Sequence, residues 1–98
     1  MELIFDWDVR KARTNLKDHR VSFEEAKTVF NDSLLLTFPD EFHSETEERF
    51  ISIGYSSKQR LLLVVHTEHD TEDEILIRII SSRKVTAAER KTYEDPTT

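Results

Sequence analysis

The chain has 98 residues, 37% of them hydrophobic, and a formal net charge of −6, so it is long enough for one compact core and too short for two. It contains no cysteine, which excludes disulfide bonds and thiolate metal sites, and its single glycine, Gly54, excludes phosphate-binding loops built on glycine spacing. The first residues include acids and no long apolar run, which predicts neither a secretory signal nor a membrane span. We therefore expect a cytoplasmic protein with one domain over residues 1–98.

The first predicted helix starts near Val9 and is basic. Asp6 or Asp8 precedes it and can cap its first amides. Apolar residues recur along it at the spacing of one helix face, namely Val9, Ala12 and Leu16. One acid, Asp18, stands against five basic residues, which are Arg10, Lys11, Arg13, Lys17 and Arg20. The pattern predicts a helix with one apolar side and many positive charges.

The second predicted helix begins at Phe23. Ser22 and Glu25 have the spacing of a capping box, in which the Glu25 amide donates to the Ser22 hydroxyl and the Ser22 amide donates to the Glu25 carboxylate. Asn31 and Asp32 tolerate turn geometry and are expected to end this helix. Two short helices therefore open the domain.

Four β-strands are predicted next, because residue types and periodicity change after the second helix. Their ranges are 34–38, 49–55, 60–67 and 75–81, and the short connections favour an antiparallel meander. The third strand is nearly continuous in Leu and Val, which predicts a central position with Arg60 and His66 at its accessible ends. Thr86 and Glu89 form another capping box, so a last helix is expected from Ala87 to about residue 94. The fold expected is α+β, with two N-terminal helices, a four-stranded antiparallel sheet and a C-terminal helix.

The segment 78–93 is basic although the whole chain is acidic. It holds one acid, Glu89, and five basic residues, which are Arg78, Arg83, Lys84, Arg90 and Lys91. If the fold brings this segment beside the basic first helix, the two form one anion-binding patch, for which a nucleic-acid phosphate is the expected anion. The alternative is a solvated helix face preceded by ordinary strand-edge charges.

Several short motifs then follow one another in order over most of the chain. They are Phe5-Asp6-Trp7-Asp8, Asn15-Leu16-x-x-His19, Val21-Ser22-Phe23-Glu24-Glu25-Ala26, Val29-Phe30-Asn31-Asp32, Glu48-Arg49-Phe50, Ile53-Gly54, Val64-Val65-His66-Thr67-Glu68, Arg78-Ile79-Ile80-Ser81-Ser82-Arg83 and Glu89-Arg90-x-x-Tyr93. As a set they resemble the BrnT family. The chain departs from that family's pattern at Val9, where proline is usual, and at Arg20, where glycine is usual. Arg20 must therefore accept left-handed strain or end the first helix differently.

The resemblance implies a RelE-like ribonuclease toxin of a type II toxin–antitoxin pair. Its implied partners are an RNA substrate and a DNA-binding BrnA-like antitoxin, whose complex with the toxin binds operator DNA through the antitoxin. A dimer or a 2:2 complex is the assembly expected, without a membrane partner. Two other readings stay open: a non-catalytic module that acts by binding an antitoxin-like regulator, and a degenerate, inactive toxin.

RNA cleavage without a metal or cofactor needs charge stabilisation at phosphorus and proton transfers at two oxygens. Arg78 and Arg83 are the first candidates for the phosphate charge, because a guanidinium stays charged and binds two oxygens. The candidates for proton transfer are His66, Glu68 and Tyr93, and further RNA contacts are expected from Arg49, Arg60, Lys84, Arg10, Lys11 and Arg13. Structural roles are the alternatives: a hydrogen-bonded His66, a helix-ending His19 and a core-anchoring Tyr93. Reading His66, Glu68, His69 and Asp70 as a metal site is a further alternative, but that spacing is not diagnostic.

Overall fold

The computed structural model describes residues 2–42 and 47–95, and these form five strands and three α-helices. In chain order the elements are β1 Glu2–Trp7, α1 Val9–His19, α2 Phe23–Ala26 with a 3-10 extension Lys27–Asn31, β2 Leu36–Pro39, β3 Arg49–Tyr55, β4 Leu61–Asp70, β5 Glu74–Lys84 and α3 Ala87–Glu94. The sheet order is β1-β5-β4-β3-β2, and β1 is parallel to β5 whereas the other pairs are antiparallel. The α+β class is confirmed, but the predicted four-stranded antiparallel sheet is wrong because the sheet is five-stranded and mixed.

The missed strand is β1. The sequence pattern predicts no element for its residues ELIFDW, yet Glu2 pairs with Glu74 and Trp7 with Ile79. A parallel pair has no connecting hairpin, so no local turn signal marks it in the sequence. β1 is recognised only when β5 is in place beside it.

Most element boundaries follow local signals. Of the two predicted candidates, Asp6 and Asp8, it is Asp8 that caps α1: its carboxylate accepts from the amides of Arg10 at 2.7 Å and Lys11 at 3.3 Å. The capping box of Thr86 and Glu89 is present at the start of α3. β4 occupies the centre of the sheet, as expected, but it continues to Asp70, beyond the predicted end of the strand at residue 67.

The second capping box is only half present. The Glu25 amide donates to the Ser22 hydroxyl at 3.0 Å, but the Glu25 carboxylate is turned inward, where it accepts from the guanidinium of Arg60 and from the hydroxyl of Ser56 at 2.6 Å. The Glu25 side chain is 2% exposed. A carboxylate so deeply buried requires a charged partner, and a backbone amide does not supply one.

The two faces of the sheet are covered unequally. On one face, α1 and α2 pack on the main core, which consists of Val21, Phe23, Ala26, Val29, Leu62, Val64, Ile77 and Ile79. On the other face, Ile53, Leu61 and Leu63 form a smaller cluster that is covered by Val85 and by Tyr93 of α3. Because α3 has only eight residues, part of this second face remains open.

The register of β5 shifts at a bulge opposite Val65 and His66. β1 pairs with β5 only as far as Ile79, and beyond that point α1 takes over the strand edge. The Ser82 amide donates to Asn15 Oδ1 at 3.0 Å, and Asn15 Nδ2 donates to the carbonyls of Ser82 and Val21, both at 2.8 Å. The buried Asn15 therefore fixes α1 against the second half of β5, because each of these backbone groups needs a partner.

Candidate functional site

The open part of the second sheet face is a cleft of about 450 Å³. Its floor is apolar and consists of Ile51, Leu63 and Val65 from β3 and β4, with Ile80 from β5. Its rim carries all the charged or titratable side chains, which are His19, Asp40, Arg49, Arg83 and Glu89. The cleft can thus hold a partly apolar ligand with a charged group at the rim.

A second groove, of about 340 Å³, continues the cleft along α1. The two share His19, Ile80 and Ser81, and the charged residues that the second groove adds are Arg10, Lys11 and Asp18. The fold therefore brings the two basic ends of the sequence together, as the charge pattern suggested. The result is a continuous surface with Arg10 and Lys11 at one end and Arg83 and Arg49 at the other.

Arg83 is held at the cleft by a two-pronged ion pair. Its Nη1 and Nη2 atoms donate to the two carboxylate oxygens of Glu89 at 2.8 and 2.9 Å, and Glu89 also accepts from the Thr86 amide at 2.8 Å. The Arg83 guanidinium is the main reason that the pKa of Glu89 is lowered to about 2. The side chain of Arg83 remains 39% exposed. A fixed cation is therefore presented to ligands in the cleft.

His66 is buried and lies outside the cleft, so its predicted place at an accessible strand end is wrong. Its side chain is 0% exposed, since β4 continues beyond it and its ring is packed by Phe30 at 5.0 Å and Phe50 at 6.0 Å between centroids. Its Nε2 atom lies 2.7 Å from the Ser52 hydroxyl. Burial lowers the pKa of His66 to about 4, which favours a neutral structural histidine. The carboxylate of Glu68 lies 3.8 Å from His66 Nδ1, and burial raises its pKa.

Tyr93 anchors α3 instead of lining the cleft. Its hydroxyl donates to Asp32 Oδ2 at 2.5 Å, and the same oxygen accepts from the Tyr55 amide at 2.8 Å. The pKa of Tyr93 is raised to about 12, mainly by burial and next by the hydrogen bond with Asp32. A hydroxyl with this pKa is a weak proton donor at neutral pH.

The other predicted basic residues are distributed around the sheet. Arg78 donates to Asp6 at 2.8 Å in an exposed pair on β5 and β1. Arg60 is bound to Glu25, and with Lys84 it lines a separate pocket that shares no residue with the cleft. Arg13 is exposed on α1 outside both grooves. Of the residues predicted from sequence, the structure thus unites Arg83, Arg49, Arg10 and Lys11.

The end of α1 is strained. Arg20 has φ 59° and ψ 30°, the left-handed conformation that the absence of glycine made costly, and its amide donates to the Leu16 carbonyl at 3.0 Å. Its carbonyl accepts from Arg60 Nη2 at 3.0 Å. Of the two predicted alternatives, Arg20 thus adopts the strained left-handed conformation at the end of α1. The hydrogen bond from Arg60 stabilises this turn.

No site role was predicted for His19, Asp40 or Glu89, although all three line the cleft. One local signal was available for His19, because Asn15 and His19 are four residues apart and so share a helix face. Asp40 and Glu89 carried no such signal. Within residues 2–42 and 47–95 no group of three or more His, Cys, Asp and Glu side chains is arranged to hold a metal ion, and none of their helices could span a membrane.

Comparison with known proteins adds family information. Residues 7–89 match the family described as "Ribonuclease toxin, BrnT, of type II toxin-antitoxin system". The crystal structure of the Brucella abortus ribonuclease toxin BrnT is similar, with a TM-score of 0.61 at 20% identity over 88% of this chain and 99% of that one. No curated protein sequence matches the chain. The structural likeness shows a shared fold, and the family match covers most of the residues.

Proposed function

Because the chain belongs to the BrnT family of ribonuclease toxins of type II toxin–antitoxin systems, we propose that it cleaves RNA in the cleft that holds Arg83 and Arg49. The observation that supports this placement is the continuity of the cleft with the groove of Arg10 and Lys11. An RNA strand needs such an extended basic path, whereas a small anion does not.

The rim and the floor of the cleft suit different parts of a nucleotide. Arg83 and Arg49 are proposed to stabilise the extra negative charge that forms when the 2′-oxygen attacks phosphorus, a reaction that needs no metal. The apolar floor accommodates sugar or base surfaces. Arg10 and Lys11 contact neighbouring phosphates without reading the sequence. The exposed Arg13, Arg78 and Lys84 add only a screened, long-range attraction.

Family membership also supports a proposal about partners. A DNA-binding BrnA-like antitoxin is proposed to neutralise the toxin in the cytoplasm, in a dimeric or 2:2 complex that binds operator DNA through the antitoxin. A segment of the antitoxin that covers the cleft excludes RNA by occlusion. RNA binding and antitoxin binding should then compete.

The proposal is tested by incubating purified protein with total RNA and excess chelator. Wild type and Arg78→Ala should cleave RNA, because the Arg78–Asp6 pair lies outside the cleft. The Arg49→Ala, Arg83→Ala double variant should lose about 100-fold or more of the rate, as expected when groups that stabilise transition-state charge are removed. Circular dichroism and thermal melting would verify that each variant is folded.

Two results would contradict this assignment. Equal cleavage by the double variant would remove both arginines from the reaction. Intact RNA with wild type, together with a stable antitoxin complex, would favour the non-catalytic binding module or the degenerate toxin. Repeating the assay with translating ribosomes would separate these readings from cleavage that requires the ribosome.

A further inference from the structure

We propose that His19 is a further catalytic residue of this cleft, where its imidazolium gives a proton to the 5′-oxygen that leaves when RNA is cut. This inference rests on the proposed function. It assigns the proton donor, for which the sequence had suggested other residues.

His19 lies in the cleft itself. Three histidines lie in the described residues, and of these only His19 lines the cleft. It also lines the groove of Arg10 and Lys11, so it stands where the two surfaces join. His66 is sealed behind aromatic rings, and His69 is exposed near the end of β4, outside both grooves. An RNA strand that follows the basic path to Arg83 must therefore pass His19.

The helix that carries His19, α1, is fixed against β5 by Asn15. Asn15 lies one helical turn before His19 on the same face, and its three hydrogen bonds to Ser82 and Val21 set the rotation and height of the helix. Ser81 and Ser82 themselves line the cleft. The side chain of His19 is thus placed over the β5 segment that leads to Arg83.

Arg20, the residue directly after His19, has a strained left-handed backbone. Left-handed geometry is unfavourable at a residue with a side chain, and such strain persists only where surrounding contacts impose it. Here Arg60 imposes it, because its guanidinium binds both the Arg20 carbonyl and the buried Glu25 carboxylate. The turn ends α1 at His19 and leaves the imidazole at the C-terminal pole of the helix. The strained turn therefore fixes the position of His19 beside the cleft.

The cleavage step consists of one bond formed, one bond broken and two proton transfers. The 2′-hydroxyl oxygen forms a bond to phosphorus as its proton leaves to water. The bond between phosphorus and the 5′-oxygen then breaks, and that oxygen keeps the electron pair and takes the proton of His19. The products are a 2′,3′-cyclic phosphate and a 5′-hydroxyl. Neutral His19 regains a proton from solvent, and Arg83 and Arg49 carry the charge on the non-bridging oxygens.

The test compares His19→Gln with His69→Gln on a synthetic RNA that contains one cleavage site. Glutamine keeps hydrogen-bonding capacity but cannot donate a proton in the reaction. His19→Gln should cleave about 100-fold more slowly under single-turnover conditions, a typical loss for a missing acid, whereas His69→Gln should match wild type. Binding of the same RNA with a 2′-deoxy residue at the cleavage site should stay within about twofold, since the phosphate contacts remain.

A modified substrate separates proton donation from a structural role. When the 5′-bridging oxygen is replaced by sulfur, the leaving thiolate needs no proton, so His19→Gln should cleave this RNA at nearly the wild-type rate. A persistent 100-fold defect on the sulfur substrate, or no defect on the oxygen substrate, would overturn the role of His19 while leaving the proposed function intact. Intact oxygen substrate with wild type, both alone and with ribosomes, would overturn both.

Discussion

The two faces of the sheet use the same arginine–glutamate pairing for different ends. On the face covered by α1 and α2, Arg60 binds Glu25, whose side chain is 2% exposed, and it also holds the Arg20 carbonyl. On the open face, Arg83 binds Glu89, whose side chain is 27% exposed, at the rim of the cleft. Burial and additional partners therefore make the Arg60–Glu25 pair a cross-link between elements. The other pair remains accessible to a ligand.

The largest expected effect is the removal of Glu25. Glu25→Ala leaves the Arg60 guanidinium and the Ser56 hydroxyl without their acceptor. Breaking a buried pair in this way should lower the free energy of unfolding by about 3 kcal/mol, the low end of the usual range because Arg60 is partly solvated. Urea unfolding at pH 7 measures this loss.

Glu24→Ala is the matched control, because Glu24 is the exposed neighbour of Glu25 on the same helix. A surface change of this kind should alter the free energy of unfolding by no more than about 0.5 kcal/mol. Equal losses for the two variants would mean that the Arg60–Glu25 pair does not cross-link the covered face.

The next effect is the acid sensitivity of the covered face, which depends on His66. The pKa of His66 is lowered from 6.5 to about 4 by burial, so between these values the unfolded chain binds more protons than the folded one. The contribution of neutral His66 to the free energy of unfolding is therefore complete above pH 6.5. It falls as the pH drops towards 4, by about 2 to 3 kcal/mol in total.

Urea unfolding from pH 7 to pH 4 should show this slope in wild type and in His69→Gln, and a shallower slope in His66→Gln. The comparison is made between slopes because other carboxylates also titrate near the lower end of the range. Parallel curves for wild type and His66→Gln would show that His66 is accessible to protons in the folded state.

Local signals in the sequence were sufficient for much of this fold. The Thr86–Glu89 capping box and the apolar run of β4 depend on neighbours within a few residues, and both predictions are confirmed. The cap of α1 was narrowed by the same local signals to Asp6 or Asp8, and Asp8 forms it. β1 was missed because its partner strand lies about seventy residues further along the chain. For Glu25 only half of the prediction is confirmed. Its amide donates to Ser22 as the local motif predicts, whereas its carboxylate binds Arg60, which is distant in the sequence.

The candidate site was harder to predict because accessibility is a tertiary property. His66 and His19 each follow a plausible motif, and nothing near either residue in the sequence says which one the aromatic rings will enclose. Arg78 and Arg83 share one strand, but the bulge between them and the end of β1 give the two side chains different partners. Charge clustering predicted that a basic surface exists, and only the packing of α1 on β5 shows which residues compose it.

The smallest expected effect is that of Glu89→Gln, which removes the partner of Arg83 on the open face. The pKa of Glu89 is lowered from 4.5 to about 2, so its ion pair stabilises the fold above pH 4.5 and is lost as the pH falls through 2. Since the pair is partly exposed, Glu89→Gln should reduce the free energy of unfolding at pH 7 by only about 1 kcal/mol. The same change removes a negative charge beside Arg83 and should tighten RNA binding by about threefold at low salt. Glu94→Gln, which removes an exposed charge from the far end of α3, is the control that should bind RNA as wild type does. Unchanged affinity in Glu89→Gln would mean that RNA does not approach Arg83, and the division between a structural pair and a ligand-facing pair would then fail.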